Sequence, residues 1–427
     1  MLWALYEWMA MPLTRIPTLV RSCAGRLLGV TVALSLLFTS AAHFAPPARA
    51  DPTVTVSSGS FVIRGSGYGH GWGMSQYGAY GAARKGLNWK QIVGFYYPGT
   101  QRTTMSSGTT IKVWVTADND DSLWLSPAPG LRITDASGRS FTLPTGSAYR
   151  SWRVSRSGDG YRLTYRNPSG ADIAVATKLA TTTWTVHNSA KLIKLGMPDH
   201  SVREYRGSVQ LVKRGSGART VNQVTLEDYV KAVVPAEMPT SWASDAVSAQ
   251  AVAARSYAVR IRDFTDYSGY DVCDTTTCQV YGGYARTSSG GNRTVLETKG
   301  GNDATKATAG VILTYGGKVA LTQFGSSNGG HSAQGDYAYL TPRADPYDGV
   351  IRSQAWTKTI KASSIAAAWP SVGTVQRLQI TQRDGDGGWG GRVTSITIIG
   401  SKTSIAVSGK TFQYRFGMRS SLFTAAP

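Results

Sequence analysis

Between residues 109 and 214, apolar and polar positions alternate along the chain. "TIKVWVT" (110–116), "LRITD" (131–135), "SFTLP" (140–144), "YRLTYR" (161–166), "TTWTVH" (182–187) and "REYRGSVQLVKR" (203–214) are separated by Gly, Pro and Asp turns. A period of two between turn signals predicts half-buried strands. "GSFVIRG" (59–65) and "RVTSITIIG" (392–400) read the same way, and 310–332 reads as a hairpin turning at Gly316-Gly317.

The period changes after residue 221. Leu226, Tyr229, Val230 and Val233 recur at helical spacing. Thr225 can cap that helix, with Asp228 three residues on, and Pro235 is expected to stop it. A second helix is expected from Trp242 or Ser244 to about 262. It carries Ala246, Ala249, Ala253 and Tyr257 on one face, small enough for close packing. Short helices are expected at 79–86, 88–100 and 363–369, and 266–305 reads as loop. The fold class is α+β, β-rich with a central helical segment. The expected division is 1–50, 51–105, 106–200 and 201–427.

The first 50 residues read as an export signal. Arg15, Arg21 and Arg26 precede the apolar run "LLGVTVALSLLF" (27–38), and Ala48-Arg49-Ala50 has the small-x-small cleavage pattern. A retained anchor is the alternative, but the run is shorter than the roughly 20 residues that span a bilayer. Export reshapes the charge argument. The 427 residues carry +20, and removal of 1–50, with four Arg and one Glu, leaves +17. Outside a cell such charge meets anionic cell-wall polymers, and nucleic acid is not an expected partner. Cys23 leaves with the signal, so Cys273 and Cys278 remain as an even pair.

Glu237 lies in "VVPAEMPTSW", between Pro235 and Pro239. The prolines stiffen an elbow between helices, and apolar neighbours would keep the carboxyl protonated as a general acid. A glutamate at a helix start, favoured by the positive helix end, fits the same residues. "GYGHGWGMSQYGAYGAARKG" (67–86) brings backbone close to something. It is not a phosphate cradle, because no G-K-[ST] follows.

The run "TVNQVTLEDYVKAVVPAEMPTSWASDAVSAQAVAARSYA" (220–258) resembles the hallmark block of the SpoIID/LytB family of bacterial cell-wall proteins. The resemblance covers about 51–100 and 200–427. It implies a peptidoglycan lytic transglycosylase, or an enhancer of a cell-wall amidase, acting on glycan strands at the cell wall after secretion. It makes Glu237 the catalytic acid and puts Gln250 and Arg255 in the same cleft. One carboxylate suffices for that reaction. The acid protonates the leaving glycosidic oxygen. Its carboxylate then takes a proton from the muramic sugar's own 6-hydroxyl, which closes a 1,6-anhydro ring. An ordinary glycosidase needs two carboxylates, and the spacing of Asp228, Asp245, Asp271 and Asp274 singles out no partner.

Further elements extend the resemblance. "TTTCQVYGG" (275–283) matches a Cys-Gln-x-Tyr stretch, which implies a substrate contact for Tyr281. Thr277 stands where relatives often have His. Some relatives hold zinc through a Cys pair and a His, but no His lies between 201 and 330 here. No cofactor is therefore expected. A Cys273–Cys278 disulfide is expected, with zinc or free thiols the alternatives. "SSNGGHSAQ" (326–334) implies that Ser326, Asn328 and His331 line the cleft, and "GSGYGHGWGMSQYGAYGAARKGLNWKQIVGFYYPGT" (65–100) adds His70 and Gln76. In the family this last element follows a stretch like "FGMRSSLF", which here lies at 416–423. The order implies a circular permutant.

Overall fold

The computed structural model describes residues 51–426 except 159, 180–182, 191 and 266. The expected signal at 1–50 lies outside them. The alternating segments form two large sheets. A seven-stranded sheet orders 272–273, 110–114, 217–225, 208–214, 183–188, 131–135 and 140–142. An eight-stranded sheet orders 172–179, 160–166, 151–157, 122–125, 192–196, 202–206, 285–287 and 293–295. Every second residue turns inward, so Ile111, Val113, Ile133, Trp184 and Val186 share one core with Leu123, Trp152, Val154, Ile193 and Leu195. Strands from both sides of residue 200 enter each sheet, so the boundary expected there runs through both.

Seven helices lie among the described residues: α1 (Gln76–Arg84), α2 (Trp89–Tyr96), α3 (Leu226–Glu237), α4 (Ser244–Phe264), α5 (Lys299–Ala307), α6 (Ala362–Ala368) and α7 (Gly409–Arg415). In α4, Ala246, Ala249 and Ala253 meet Ala79, Ala82, Ile92 and Val93 of α1 and α2 in a second core. The Trp89 N–H also donates to the Asp245 carboxylate at 2.8 Å, tying α2 to the first turn of α4. No helix among the described residues is long and apolar enough to cross a membrane.

A third core gathers Phe61 and Ile63 with Leu378, Ile396, Ile398, Phe412 and Phe423. Its strand 60–66 runs antiparallel between 355–361 and 423–426, with Val62 opposite Ala426 and Gly65 opposite Phe423. A strand from near the start of the described chain is therefore paired with its last strand.

Three expectations change. Pro235 does not stop α3, which runs on to Glu237. A proline in the last turn removes one N–H toward the carbonyl four residues back, and the Met238 N–H to Val234 O bond (3.0 Å) still closes the end. Helix α1 begins at Gln76, three residues before the expected start, because the Ser75 hydroxyl accepts the Gly78 N–H at 3.0 Å. The expected loop at 266–305 contains most of α5. "KGGNDATKA" has weak helix propensity; Thr298 caps it and Ala304 docks it on the main core.

Candidate functional site

Thr225 starts α3 by accepting the Asp228 N–H at 3.2 Å, and the buried Tyr229, Val230 and Val233 seat the helix on the core. Its final residue is Glu237. The expected elbow thus takes another form: the carboxyl sits at a helix C-terminus, where the dipole disfavours an anion. Glu237 is half-buried, and its Oε1 accepts the Val280 N–H at 2.8 Å. Burial pushes its pKa above the ordinary carboxylate range, and the Val280 N–H pulls it part of the way back. Two tyrosines feel its charge. Tyr229 is fully buried and donates to Gln279 Oε1 at 2.9 Å, and the half-buried Tyr257 hydroxyl is pushed up to about 12, chiefly by burial. A carboxyl whose pKa is raised, beside weakly acidic phenols, can serve as a proton donor.

Gln76 approaches from the other side. Its Nε2 donates to the Glu237 backbone carbonyl at 3.1 Å and lies 3.3 Å from Gln250 Oε1. The glycine-rich segment makes that approach possible. Met74 and Ser75 pair in parallel with Phe324 and Gly325. Gly73 has φ +62°, and a Cβ there would fall 2.1 Å from the Gln323 carbonyl oxygen. A Cβ on Gly78 would fall 2.0 Å from the Tyr96 hydroxyl. Gly73 lets the chain pass close over Gln323, and Gly78 lets α1 pack against Tyr96 of α2, which together deliver Gln76.

Other expected residues take other places. Arg255 is 0% exposed and forks on Glu227 at 2.8 and 2.9 Å, with Nη1 on the Val311 carbonyl at 3.1 Å. This guanidinium holds α4 to α3 and lines no open cleft. Tyr281 is buried, donates to Asn222 Oδ1 at 2.6 Å and stacks on Tyr229. Asn328 is buried and donates to Asp345 at 2.7 Å. Burial and internal partners make Arg255 and Asn328 structural anchors, while Tyr281 also lines the cavity beside Val280 and Ala236. Ser326 accepts the Tyr77 N–H at 3.0 Å through its carbonyl and is half-buried, next to α1. His331 has Nδ1 2.9 Å from the Ser332 carbonyl and lies against Gly387. His70 does not join Gln76 at Glu237. It stacks on Trp72, accepts the Trp72 N–H at 2.9 Å, and burial, then Arg392, lowers its pKa to about 4. Cys273 and Cys278 form a disulfide, Cα–Cα 5.4 Å. Bonded to each other, they offer no thiolate to zinc, and no group of three or more His, Cys, Asp or Glu among the described residues could hold a metal.

The family model described as Stage II sporulation protein, SpoIID, matches residues 214–315. That span holds α3, α4, α5, the disulfide loop and Val280. Through this segment the chain is similar to the SpoIID family. Stage II sporulation protein D of Bacillus subtilis is 31% identical over 206 residues, 46% of this chain and 59% of that protein. The amidase enhancer of Bacillus subtilis is 34% identical over 142 residues, 32% of this chain and 17% of its own length. A protein of Brachyspira hyodysenteriae is 34% identical over 159 residues, 37% of this chain and 40% of its own length. This chain thus spans less than two thirds of each of these relatives.

The SpoIID segment supplies Glu237, Gln250 and Val280, while Gln76 comes from outside it. The Val280 amide had no side-chain signature to find. Tyr257 stood in the "AARSY" block but read as core. Asp345 and Asp348 also escaped notice in "RADPYDG". Asp345 accepts from Tyr96 and Asn328, both at 2.7 Å, and Asp348 from Ser327 Oγ at 2.7 Å and the Gly329 N–H at 2.6 Å. Together they lock the loop that receives α1.

Proposed function

We propose that the protein is an exported peptidoglycan lytic transglycosylase that cleaves the MurNAc–GlcNAc bond to leave 1,6-anhydroMurNAc ends. The observation that carries this reading is a single half-buried carboxyl, Glu237, with a raised pKa and one N–H donor. Protonated, it gives its proton to the glycosidic oxygen as the C1–O bond breaks. As carboxylate it then accepts the 6-hydroxyl proton as O6 bonds to C1. The nearby acids are engaged elsewhere. Asp228 pairs with Lys231, Asp245 accepts from Trp89, Asp271 from Lys112 and Asp274 from Thr116. That favours one carboxylate over the pair a hydrolase uses.

The likeness to an amidase enhancer supports a second reading, a non-catalytic wall-binding protein that stimulates a cell-wall amidase. In either reading the +17 charge favours anionic wall polymers. We also read the chain as a circular permutant of its family, supported by the pairing of strand 60–66 with 423–426.

The test is incubation of residues 51–427 with glycan strands, with and without their peptides, followed by mass spectrometry of the ends. Anhydro ends that vanish in Glu237→Gln are expected. Reducing ends would indicate a hydrolase. No cleavage, with amidase stimulation that survives Glu237→Gln, would establish the second reading.

A further inference from the structure

The donor that holds Glu237 lies two residues beyond a disulfide. Upstream of the bridge the chain is fixed to the seven-stranded sheet. Val272 and Cys273 pair with Val113 and Trp114, and the Asp274 carboxylate accepts the Thr116 N–H at 3.1 Å and its hydroxyl at 2.6 Å. Thr276 and Thr277 then form an exposed tip. The chain returns at Cys278, whose Sγ accepts the Cys273 N–H at 3.0 Å. Gln279 and Val280 follow at once, the first on Tyr229 and the second on Glu237.

Behind this loop lies a cavity of about 450 Å³, lined by Thr116, Arg203, Ala236, Asp274, Thr275 and Val280 among others. Close packing ordinarily fixes a backbone amide to within a few tenths of an ångström. Here one side of Thr275 and Val280 faces open volume, so packing cannot do so. A covalent closure over five residues can.

We propose that the Cys273–Cys278 bridge is the positioning device of Glu237, acting through the Val280 amide that it aims at the carboxylate. The bridge itself touches neither Glu237 nor a substrate. As a role in catalysis it rests on the transglycosylase reading; as a control of the carboxyl it does not. Opening it takes a dithiol reductant: the Sγ–Sγ bond breaks, each sulfur becomes a thiol, and the reductant is oxidised to its own disulfide. Cys278 is half-buried beside the exposed tip, within reach of such a reagent.

The consequence for Glu237 has a definite sign. The titratable groups facing it are Tyr229 from α3 and Tyr257 from α4, while Gln76 of α1 is neutral. Asp274 and Arg203 share the cavity wall with Val280. Opening the bridge leaves burial in force and loosens the one bond that favours the anion. The carboxyl then holds its proton to higher pH.

The test is carboxyl-carbon NMR titration of Glu237 in protein labelled at Glu Cδ, with Glu237→Gln identifying the resonance. Oxidised protein is compared with protein reduced by a dithiol and alkylated, and with the double variant Cys273→Ser, Cys278→Ser. Opening the bridge is expected to raise the midpoint by about one pH unit. Where glycan is cleaved, the alkaline limb of the rate profile should move by the same amount, with kcat down about tenfold and KM within twofold. An unmoved midpoint in reduced protein of native circular dichroism overturns the proposal, whether or not the double variant folds. A moved midpoint without glycan cleavage upholds it and counts against the transglycosylase reading alone.

Discussion

Gln76 and Glu237 are 161 positions apart, and the side-chain amide of the first donates to the backbone carbonyl of the second at 3.1 Å. The bond satisfies one of the carbonyls that a helix C-terminus leaves open, and it fixes where the candidate acid begins. Gln76→Ala is expected to cost roughly 1–2 kcal/mol in denaturant unfolding, since two buried acceptors lose a donor. Glycan cleavage should fall about 10- to 100-fold with little change in KM, the pattern of a misplaced acid. Activity within twofold of the parent would remove Gln76 from the site.

Arg255 separates a structural role from a catalytic one. Arg255→Lys keeps the charge but cannot fork on Glu227, and it leaves that half-buried carboxylate with one fewer donor. A loss of about 1–3 kcal/mol is expected, read as a lowered urea midpoint. Turnover per folded molecule at low temperature should stay within twofold. Lost turnover in a variant of native stability would return Arg255 to the cleft.

Asp118 makes stability depend on pH. It is buried, its Oδ1 has no hydrogen-bond partner, and burial raises its pKa from 3.8 to about 7 despite the Thr220 hydroxyl on Oδ2. The folded protein therefore binds this proton more tightly than the unfolded chain. The contribution is full below 3.8, falls as pH rises, and is lost above about 7. Asp118→Asn should be more stable than the parent at pH 8 by about 2–4 kcal/mol, with the difference vanishing near pH 4. Urea unfolding at pH 4, 6 and 8 checks this. A constant difference across the three would assign the effect to packing.

His70 acts in the opposite sense. Burial, then Arg392, lowers its pKa from 6.5 to about 4, so the unfolded chain takes up this proton first as pH falls. Its contribution is present above 6.5 and lost as pH drops through about 4. In an Asp118→Asn background, removing the imidazole by His70→Gln should flatten the stability profile between pH 6.5 and 4 by about 3 kcal/mol.

Much of the fold was legible because its signals are local. The alternation at 110–116 and 131–135 follows from a sheet with one face in the core, and the cap at Thr225 follows from the free N–H groups of a helix start. Glu237 was legible through its block, but its surroundings were not. Pro235 looks like a terminator, yet a proline so near a helix end costs only one bond. Arg255 and Asn328 are placed in a cleft by the family resemblance alone. Their burial is set by Glu227 and Asp345, partners 28 and 17 positions away. The Val280 contact is made by a backbone N–H, which every residue but proline carries.

Strand 60–66 has a consequence for the order in which the molecule assembles. A chain made from its N-terminus presents Phe61 and Ile63, 1% and 0% exposed in the finished fold, long before 355–361 and 423–426 exist to cover them. Contacts this distant in sequence form late, because the intervening loop must close first. That three-stranded sheet is complete only once 423–426 has been made. Until then the strand is a wet apolar edge, a natural point of capture for a chaperone or a protease. A tag or truncation at residue 423 would accordingly be felt at the glycine segment, three hundred and more positions away along the chain but one strand away in space.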